Sequence, residues 1–155
     1  MIANYDIRSA VPDDAAVIAV MSRDLVEHGL GWRWTPDKIL NSIRDGATNV
    51  AVAHDGRHPV GFAIMSYRAE EAHLLLLAVR ASHRRRGIGS ALVAWLEASA
   101  LTAGIGVVRL EARTGNWGAL AFYRRLGYKE VEVIHGYYRG KEDCAWIAKD
   151  LWQRR

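Results

Sequence analysis

The residues with the plainest chemical purpose form one short run, His83-Arg84-Arg85-Arg86-Gly87-Ile88-Gly89-Ser90-Ala91, set where an apolar strand ends and an apolar helix begins. At such a junction the first backbone N–H groups of the helix lack internal partners and the dipole is positive. An anion is stabilised there by about 0.3–1 kcal/mol from the dipole, before direct hydrogen bonds are counted. Two glycines let a phosphate approach the backbone, and three arginines bring cations to the same place. Taken alone, a Gly-x-Gly beside an arginine run is a solvated loop, so the spelling has to decide. A dinucleotide fingerprint needs a third glycine near Leu92 and a ribose-binding acid about 20 residues on, and that glycine is missing. A nucleotide P-loop needs G-x-x-x-x-G-K-[ST], a string found nowhere in the chain. What remains is an Arg-x-x-Gly-x-Gly turn from Arg84 to Gly89.

Composition limits what kind of molecule holds this turn. The 155 residues predict a single domain spanning 1–155; half are apolar, 25% are charged and three are proline, which is ordinary globular composition. The longest apolar runs, residues 74–79 and 91–96, fall far short of the roughly 20 needed to span a bilayer, so no membrane partner is expected. The N-terminal stretch carries Asp6, Asp13 and Asp14 and no apolar core of signal-peptide length, which predicts a cytoplasmic protein. Cys144 is alone and no Cys/His cluster has zinc-like spacing, so Cys144 reads as core filler and no metal is expected. Lys and Arg exceed Asp and Glu by 21 to 17, giving +4, and arginine dominates the cations. A phosphate-bearing partner fits that balance, and both a nucleic acid and a phosphorylated cofactor would satisfy it.

The elements that position the turn follow from periodicity. Residues 5–8 form a short strand, and Pro12 with Asp13 and Asp14 opens a helix to about His28, its buried stripe being Val17, Ile18, Met21 and Leu25. Thr35 caps a second helix that starts at Pro36 and ends near Asp45 before Gly46. Residues 49–54 and 60–68 form a hairpin about Asp55-Gly56, and 73–79 a further strand. A helix from Gly87 to about Ala103, with Ile88, Leu92, Trp95 and Leu96 at helical spacing, leads to a strand at 107–113. That strand, helix, strand succession implies a right-handed crossover and a parallel pair. A helix at 116–126 and strands at 128–138 and 142–151 complete a mixed α/β order with a largely antiparallel rim.

The Arg84 to Gly89 turn resembles the pyrophosphate-binding signature of the GNAT superfamily of acetyl-CoA-dependent N-acetyltransferases. Leu110-Glu111-Ala112-Arg113-Thr114-Gly115-Asn116 and Ala121-Phe122-Tyr123-Arg124-Arg125-Leu126-Gly127-Tyr128 resemble the strand and helix that follow there, and the element order matches from Ile7 to Leu151. Within the superfamily, residues 77–79, 110–113, Asn116 and the tail Tyr137-Tyr138-Arg139-Gly140-Lys141-Glu142-Asp143 are most similar to RimI-type enzymes, which acetylate protein N-terminal amines. The resemblance implies an α/β fold with a mostly antiparallel twisted sheet of six to seven strands, about four helices and a splayed parallel central pair. Its donor would be acetyl-CoA. Its acceptor would be a protein or peptide N-terminus, or else a small amine such as a polyamine, amino acid or drug.

The resemblance also assigns roles. Leu77, Ala78 and Val79 would offer backbone hydrogen bonds to the pantetheine arm, as an added strand does at an open sheet edge, while their side chains pack. Arg85, Arg86, Gly87, Ile88, Gly89 and Ser90 would surround the pyrophosphate; Arg84 would join them or remain a solvated charge. Asn116 would cap its helix, hydrogen-bond the cofactor arm, or both. A lysine-like amine of pKa about 10.4 is only roughly one part in a thousand neutral at pH 7.4, whereas a terminal amine near 7.7–8.0 needs far less help; either gains from a base. Glu111 occupies the matching strand position, although Arg109, Glu111 and Arg113 share one strand face and also read as a charge ladder. Glu70 and Glu71 are the alternative base. Tyr123, in the matching Phe-Tyr pair, would protonate the leaving thiolate, with Phe122 filling the core. Trp32 and Trp34 would shape the acceptor entrance, and Tyr137 and Tyr138 its opposite wall. The Trp32-Arg33-Trp34 string and Cys144 have no counterpart in the RimI-type pattern. His28, His54, His58, His73, His83 and His135 show no ligand spacing and read as structural or solvated.

A basic nucleic-acid-binding module would use the same arginine run with exposed aromatics, but it has no need of Glu111, Asn116 and Tyr123 together. No nucleic-acid partner is therefore expected. A catalytically silent acyl-CoA sensor on the same fold is the other alternative. The sequence is compatible with a monomer or a homodimer.

Overall fold

The structure is a computed structural model, and it describes residues 5–138, 140 and 142–152. Arg139 and Lys141 of the tail motif lie outside the described residues, as does the start of the acidic N-terminal stretch.

Seven strands form one sheet in the order β1-β2-β3-β4-β5-β7-β6. Strands β1 (Tyr5–Ser9), β2 (Thr48–Asp55), β3 (His58–Tyr67) and β4 (Glu71–Val79) make an antiparallel meander. Strands β5 (Val107–Arg113), β6 (Lys129–Tyr138) and β7 (Glu142–Asp150) make a second antiparallel group, with β7 between the other two. The two groups join through β4 and β5, the parallel pair that the crossover reading requires.

Two helical layers cover the sheet. On one face α1 (Ala15–Leu25) and α2 (Pro36–Arg44) bury Ile18, Met21 and Ile39 against Val52, Phe62 and Ile64. On the other, α3 (Ile88–Thr102) and α4 (Trp117–Arg125) bury Ile88, Leu92, Leu96 and Tyr123 against Ala51, Ala63, Val108 and Leu110. Small residues Ala51, Ala53 and Ala63 sit under α3, and Gly61 brings its backbone closer still: a Cβ there would lie 3.3 Å from Leu92 and 3.1 Å from the Ala78 carbonyl.

The first helix is shorter than its periodicity predicts. Pro12–Asp14 is a separate 3-10 turn, Val11 N–H donating to Asp14, and α1 stops at Leu25 instead of about His28. The stop has a visible cause. Both Val26 and Glu27 direct their N–H groups to the Ser22 carbonyl, and the Glu27 side chain folds back onto the loop that follows. Elsewhere, Thr35 caps α2 by accepting from Lys38 N, and Asn116 caps α4 by accepting from Ala119 N at 3.2 Å.

A break in strand pairing then shapes the middle of the molecule. β4 and β5 pair only at Glu71 with Val107, Ala72 with Val108 and His73 with Arg109, although both strands continue. Met65 pairs with Leu74 and Ile64 with Leu76, leaving Leu75 as an extra residue in β4. That bulge reverses the alternation: Ala72 and Leu74 face α3 and α4, while Leu76 and Ala78 face α1 and α2.

Candidate active site

Beyond His73 and Arg109 the two central strands separate, and a cleft of about 950 Å³ opens between them. The β4 edge that faces β5 has no strand partner past this point, so its outward backbone N–H and C=O groups are free of strand pairing, as a bound extended chain requires, although the Val79 carbonyl accepts from Arg84 Nε. Of the residues singled out in the sequence, Trp34, Leu77, Glu111, Asn116, Tyr123, Tyr137 and Tyr138 line the cleft.

Alternation along β5 fixes the direction of its charged residues. Val108, Leu110 and Ala112 pack toward α3 and α4, so Arg109, Glu111 and Arg113 project to the α1/α2 side. Glu111 is the best connected of them. Its Oε2 lies 2.6 Å from His73 Nε2 and 3.7 Å from Arg109 Nη1. An ionised carboxylate only accepts, so His73 Nε2 carries the proton in this bond. The Tyr137 hydroxyl also sits against Glu111; burial first, and then that carboxylate, raise its pKa. The charge ladder predicted for this face exists too, since Arg109 Nε donates to Glu71 at 2.8 Å. The ladder and the cleft are therefore one arrangement. Glu71 is bound at its lower end and does not line the cleft, while Glu111 does.

His73, which the sequence reading takes as structural or solvated, lines the cleft and bonds Glu111. Its only signal was position: it sits on β4 directly opposite Arg109, two residues before Glu111 on the partner strand, which becomes visible once the parallel register is known. Glu27 was passed over. Buried and part of the cleft wall, it accepts from the N–H groups of Arg33 (2.6 Å) and Trp34 (3.1 Å) and from the Ser22 hydroxyl (2.9 Å), and so fixes the α1–α2 loop.

Tyr123 is 8% exposed, edge-on to Phe122 and Tyr128 at centroid distances of 5.0 and 5.6 Å. Burial pushes its phenol well above the ordinary value of 10. Phe122 takes the neighbouring direction, against the β4–α3 turn, where a Cβ on Gly89 would meet its ring at 3.2 Å. Burial likewise raises Tyr138, whose hydroxyl meets Cys144, a fully buried thiol.

The turn itself has the shape its spelling asks for. Arg85 (φ 63°) and Gly87 (φ 81°) are both left-handed, Gly87 stands at the N-cap of α3, and the arginines at 84, 85 and 86 are exposed. Left-handed backbone at a non-glycine residue costs about 1–3 kcal/mol and is retained where function uses it. Arg84 Nε reaches back to the Val79 carbonyl and Arg86 Nη1 to the Tyr5 hydroxyl, while Arg85 has no side-chain partner among the described residues. One predicted placement comes out differently. Trp32 does not line the cleft: its Nε1 donates to the Ala19 carbonyl and Arg23 stacks on its ring, so it packs on α1. Ala78 contributes its side chain to the α1/α2 core, which leaves only its backbone for a ligand.

The model of the family described as the acetyltransferase (GNAT) family matches residues 18–128. The chain belongs to the GNAT acetyltransferase family. This GNAT chain is 29% identical over 118 residues to the [ribosomal protein bS18]-alanine N-acetyltransferase of Escherichia coli, covering 74% of this chain and 79% of that one. It is 37% identical over 83 residues to an N-alpha-acetyltransferase of Sulfurisphaera tokodaii, covering 53% of this chain and 50% of that relative's length. Its fold superposes on the crystal structure of Ard1 from Thermoplasma volcanium with a TM-score of 0.85 at 26% identity, covering 97% of this chain and 99% of that one. Acetyl-CoA is the acetyl donor of this family, and the chain is an acetyl-CoA-dependent N-acetyltransferase. The open β4 edge, the left-handed turn at the α3 N-terminus and the exposed arginines fit that donor.

Proposed function

We propose that this acetyltransferase acts on the N-terminal amine of a protein or peptide, with Glu111 as the base and Tyr123 as the acid. The observation that carries the reading is the placement of Glu111. It stands just past the point where the central strands part, bonded to His73 at 2.6 Å, on the face turned toward the α1–α2 loop and the tyrosines of the β6–β7 hairpin. The relatives named above act on α-amines, as their names state, and their likeness supports the same class of acceptor here.

Acetyl-CoA supplies the activated acetyl group as a thioester. The backbone edge at Leu77, Ala78 and Val79 would align the pantetheine arm, and the turn from Arg84 through Arg85, Arg86, Gly87, Ile88 and Gly89 to Ser90 would hold its pyrophosphate. Asn116 Oδ1 is occupied in capping α4, so its side-chain N–H groups are what it can offer the arm. Glu111 takes the proton that an incoming ammonium must lose, and the His73 N–H keeps one carboxylate oxygen fixed while the other accepts. A terminal amine of pKa about 7.7–8.0 asks little of such a base. On the opposite side of the cleft wall, burial keeps the Tyr123 proton on oxygen, available to the departing sulfur.

The test is a panel of acceptor peptides and small amines incubated with acetyl-CoA, reading release of free thiol and the mass of the product. Acetylation of peptide α-amines with kcat/KM well above that for polyamines, lysine side chains or aminoglycosides is the expected result. Turnover confined to small amines would overturn it.

A further inference from the structure

Among the described residues, the acceptor side of the cleft carries positive charge that the carboxylates of its wall do not neutralise. Both carboxylates in its wall are committed, Glu27 to the backbone of the α1–α2 loop and Ser22, Glu111 to His73 with Arg109 nearby. Three cations stand in the same wall, and among the described residues two form no ion pair while the third, Arg113, has only a long contact with Glu142. The two are Arg33 and Lys38; Arg33 lies near enough to Tyr137 to favour its ionised form, and Lys38 Nζ rests 4.2 Å from the Trp34 ring centroid. Arg113 stands over the Tyr138 ring at 5.4 Å, its Nη1 is 3.7 Å from half-exposed Glu142, and its Nη2 is buried with no hydrogen-bond partner. A guanidinium fork with an unmet N–H, facing a cleft, matches the paired oxygens of a carboxylate. These three residues come from the α1–α2 loop, α2 and β5, and not from the β4–α3 turn whose arginines would hold the donor's pyrophosphate.

We propose that Arg33, Lys38 and Arg113 form an anion subsite beside the reacting amine, which selects acceptors bearing a carboxylate close to that amine. The carboxylate belongs either to an acidic side chain at the first or second position of a peptide or to the main chain of a free amino acid. The proposal rests on the terminal-amine reading and narrows it. Arg113 is the half-buried anchor, and Arg33 and Lys38 are the exposed pair that draws the anion in and raises its local concentration.

The experiment uses matched acceptors: peptides differing only as Asp against Asn, or Glu against Gln, at positions one and two, and free alanine against alaninamide. Thiol release gives kcat/KM for each pair. Acidic peptides exceed their amides by about tenfold or more, chiefly through KM, and the ratio shrinks as salt is added. In Arg33→Gln/Lys38→Gln and in Arg113→Gln the ratio falls toward one, and Arg113→Lys restores part of it. The exposed double variant carries the test should Arg113→Gln fail to fold. Preference for alanine over alaninamide, with peptide pairs near one, places the carboxylate on a free amino acid; the reverse places it on a side chain. Peptide pairs and alanine pair all at one in the wild type overturn the subsite while leaving the terminal-amine reading intact. Ratios unchanged in the variants, with KM for acetyl-CoA raised instead, also overturn it by giving the cations to the donor. If no peptide or amino acid is acetylated while a polyamine is, the terminal-amine reading falls and the subsite with it.

Discussion

His73, the last paired residue of β4, and Glu111, two residues past the last paired residue of β5, lie 38 positions apart in the sequence and meet at 2.6 Å. If β5 were shifted by one residue, Glu111 would turn to the α3/α4 face and lose both His73 and the cleft. Their contact ties the proposed base to the opening.

If the two act as a unit, their losses will not add. Glu111→Gln should lower kcat/KM by roughly 10²–10⁴ near neutral pH, with recovery as pH rises toward the acceptor's pKa, because solvent then delivers the neutral amine. His73→Phe should show a smaller loss of the same pH shape, and the double variant little more than Glu111→Gln alone. A ratio to wild type that stays flat from pH 6 to 10 would remove Glu111 from the mechanism and return it to the ladder with Arg109.

Tyr123→Phe keeps the edge-on contacts with Phe122 and Tyr128 and deletes a hydroxyl that has no protein partner among the described residues. Melting temperature and acetyl-CoA affinity should therefore stay near wild type while kcat falls by roughly 10²–10⁴. Wild-type kcat would show that the proton comes from elsewhere.

Donor binding is read by the melt. Acetyl-CoA at about a hundred times its Kd should stabilise the fold by roughly 2.7 kcal/mol, and adenine dinucleotides much less. Gly89→Val should abolish that shift, because its Cβ would already press on the Phe122 ring at 3.2 Å and its methyl groups add bulk at the α3 N-terminus. An undiminished shift in the variant would place the donor away from this turn.

Burial raises the pKa of Tyr123, Tyr128 and Tyr138, with Glu97 adding to the effect at Tyr128, whose hydroxyl donates to it at 2.9 Å. The folded state thus holds these protons more tightly than the unfolded chain, whose tyrosines titrate near 10. Their contribution is complete below about pH 10 and is lost as pH rises beyond it, so the part of the melting temperature that they support should fall away on that alkaline side. Tyr128→Phe should shallow the alkaline fall while costing about 1–2 kcal/mol at neutral pH through the lost bond to Glu97. An identical alkaline slope in that variant would assign the transition to other groups.

The fold was legible because periodicity, caps and turns agree: Asp55-Gly56 makes its hairpin, Thr35 and Asn116 cap, and the crossover gives the parallel pair. The left-handed bend of the β4–α3 turn was legible because glycine spacing encodes backbone, and Gly87 takes φ 81° at the α3 N-cap. What escaped depended on register and bulges. Leu75 interrupts the alternation of an all-apolar strand, where no polar residue marks the change of face, and so the direction of Ala78 could not be read. His73 gained its meaning from a neighbour 38 positions away. Trp32 and Trp34 looked alike in the sequence, yet the Glu27 clasp on the backbone of residues 33 and 34 turns one toward the cleft, while the Ala19 carbonyl holds the other to α1.

Three residue pairs are all that stitch β4 to β5, so the sheet is in effect two antiparallel plates sharing a short seam, with α3 and its flanking turns as the strap. Anything laid into the open part of that seam touches both plates at once. A bound donor would act as a rivet: it should slow amide exchange in β5 and β7 as well as in β4, and make the plates lose their structure at one temperature where the empty protein loses them over a broader range.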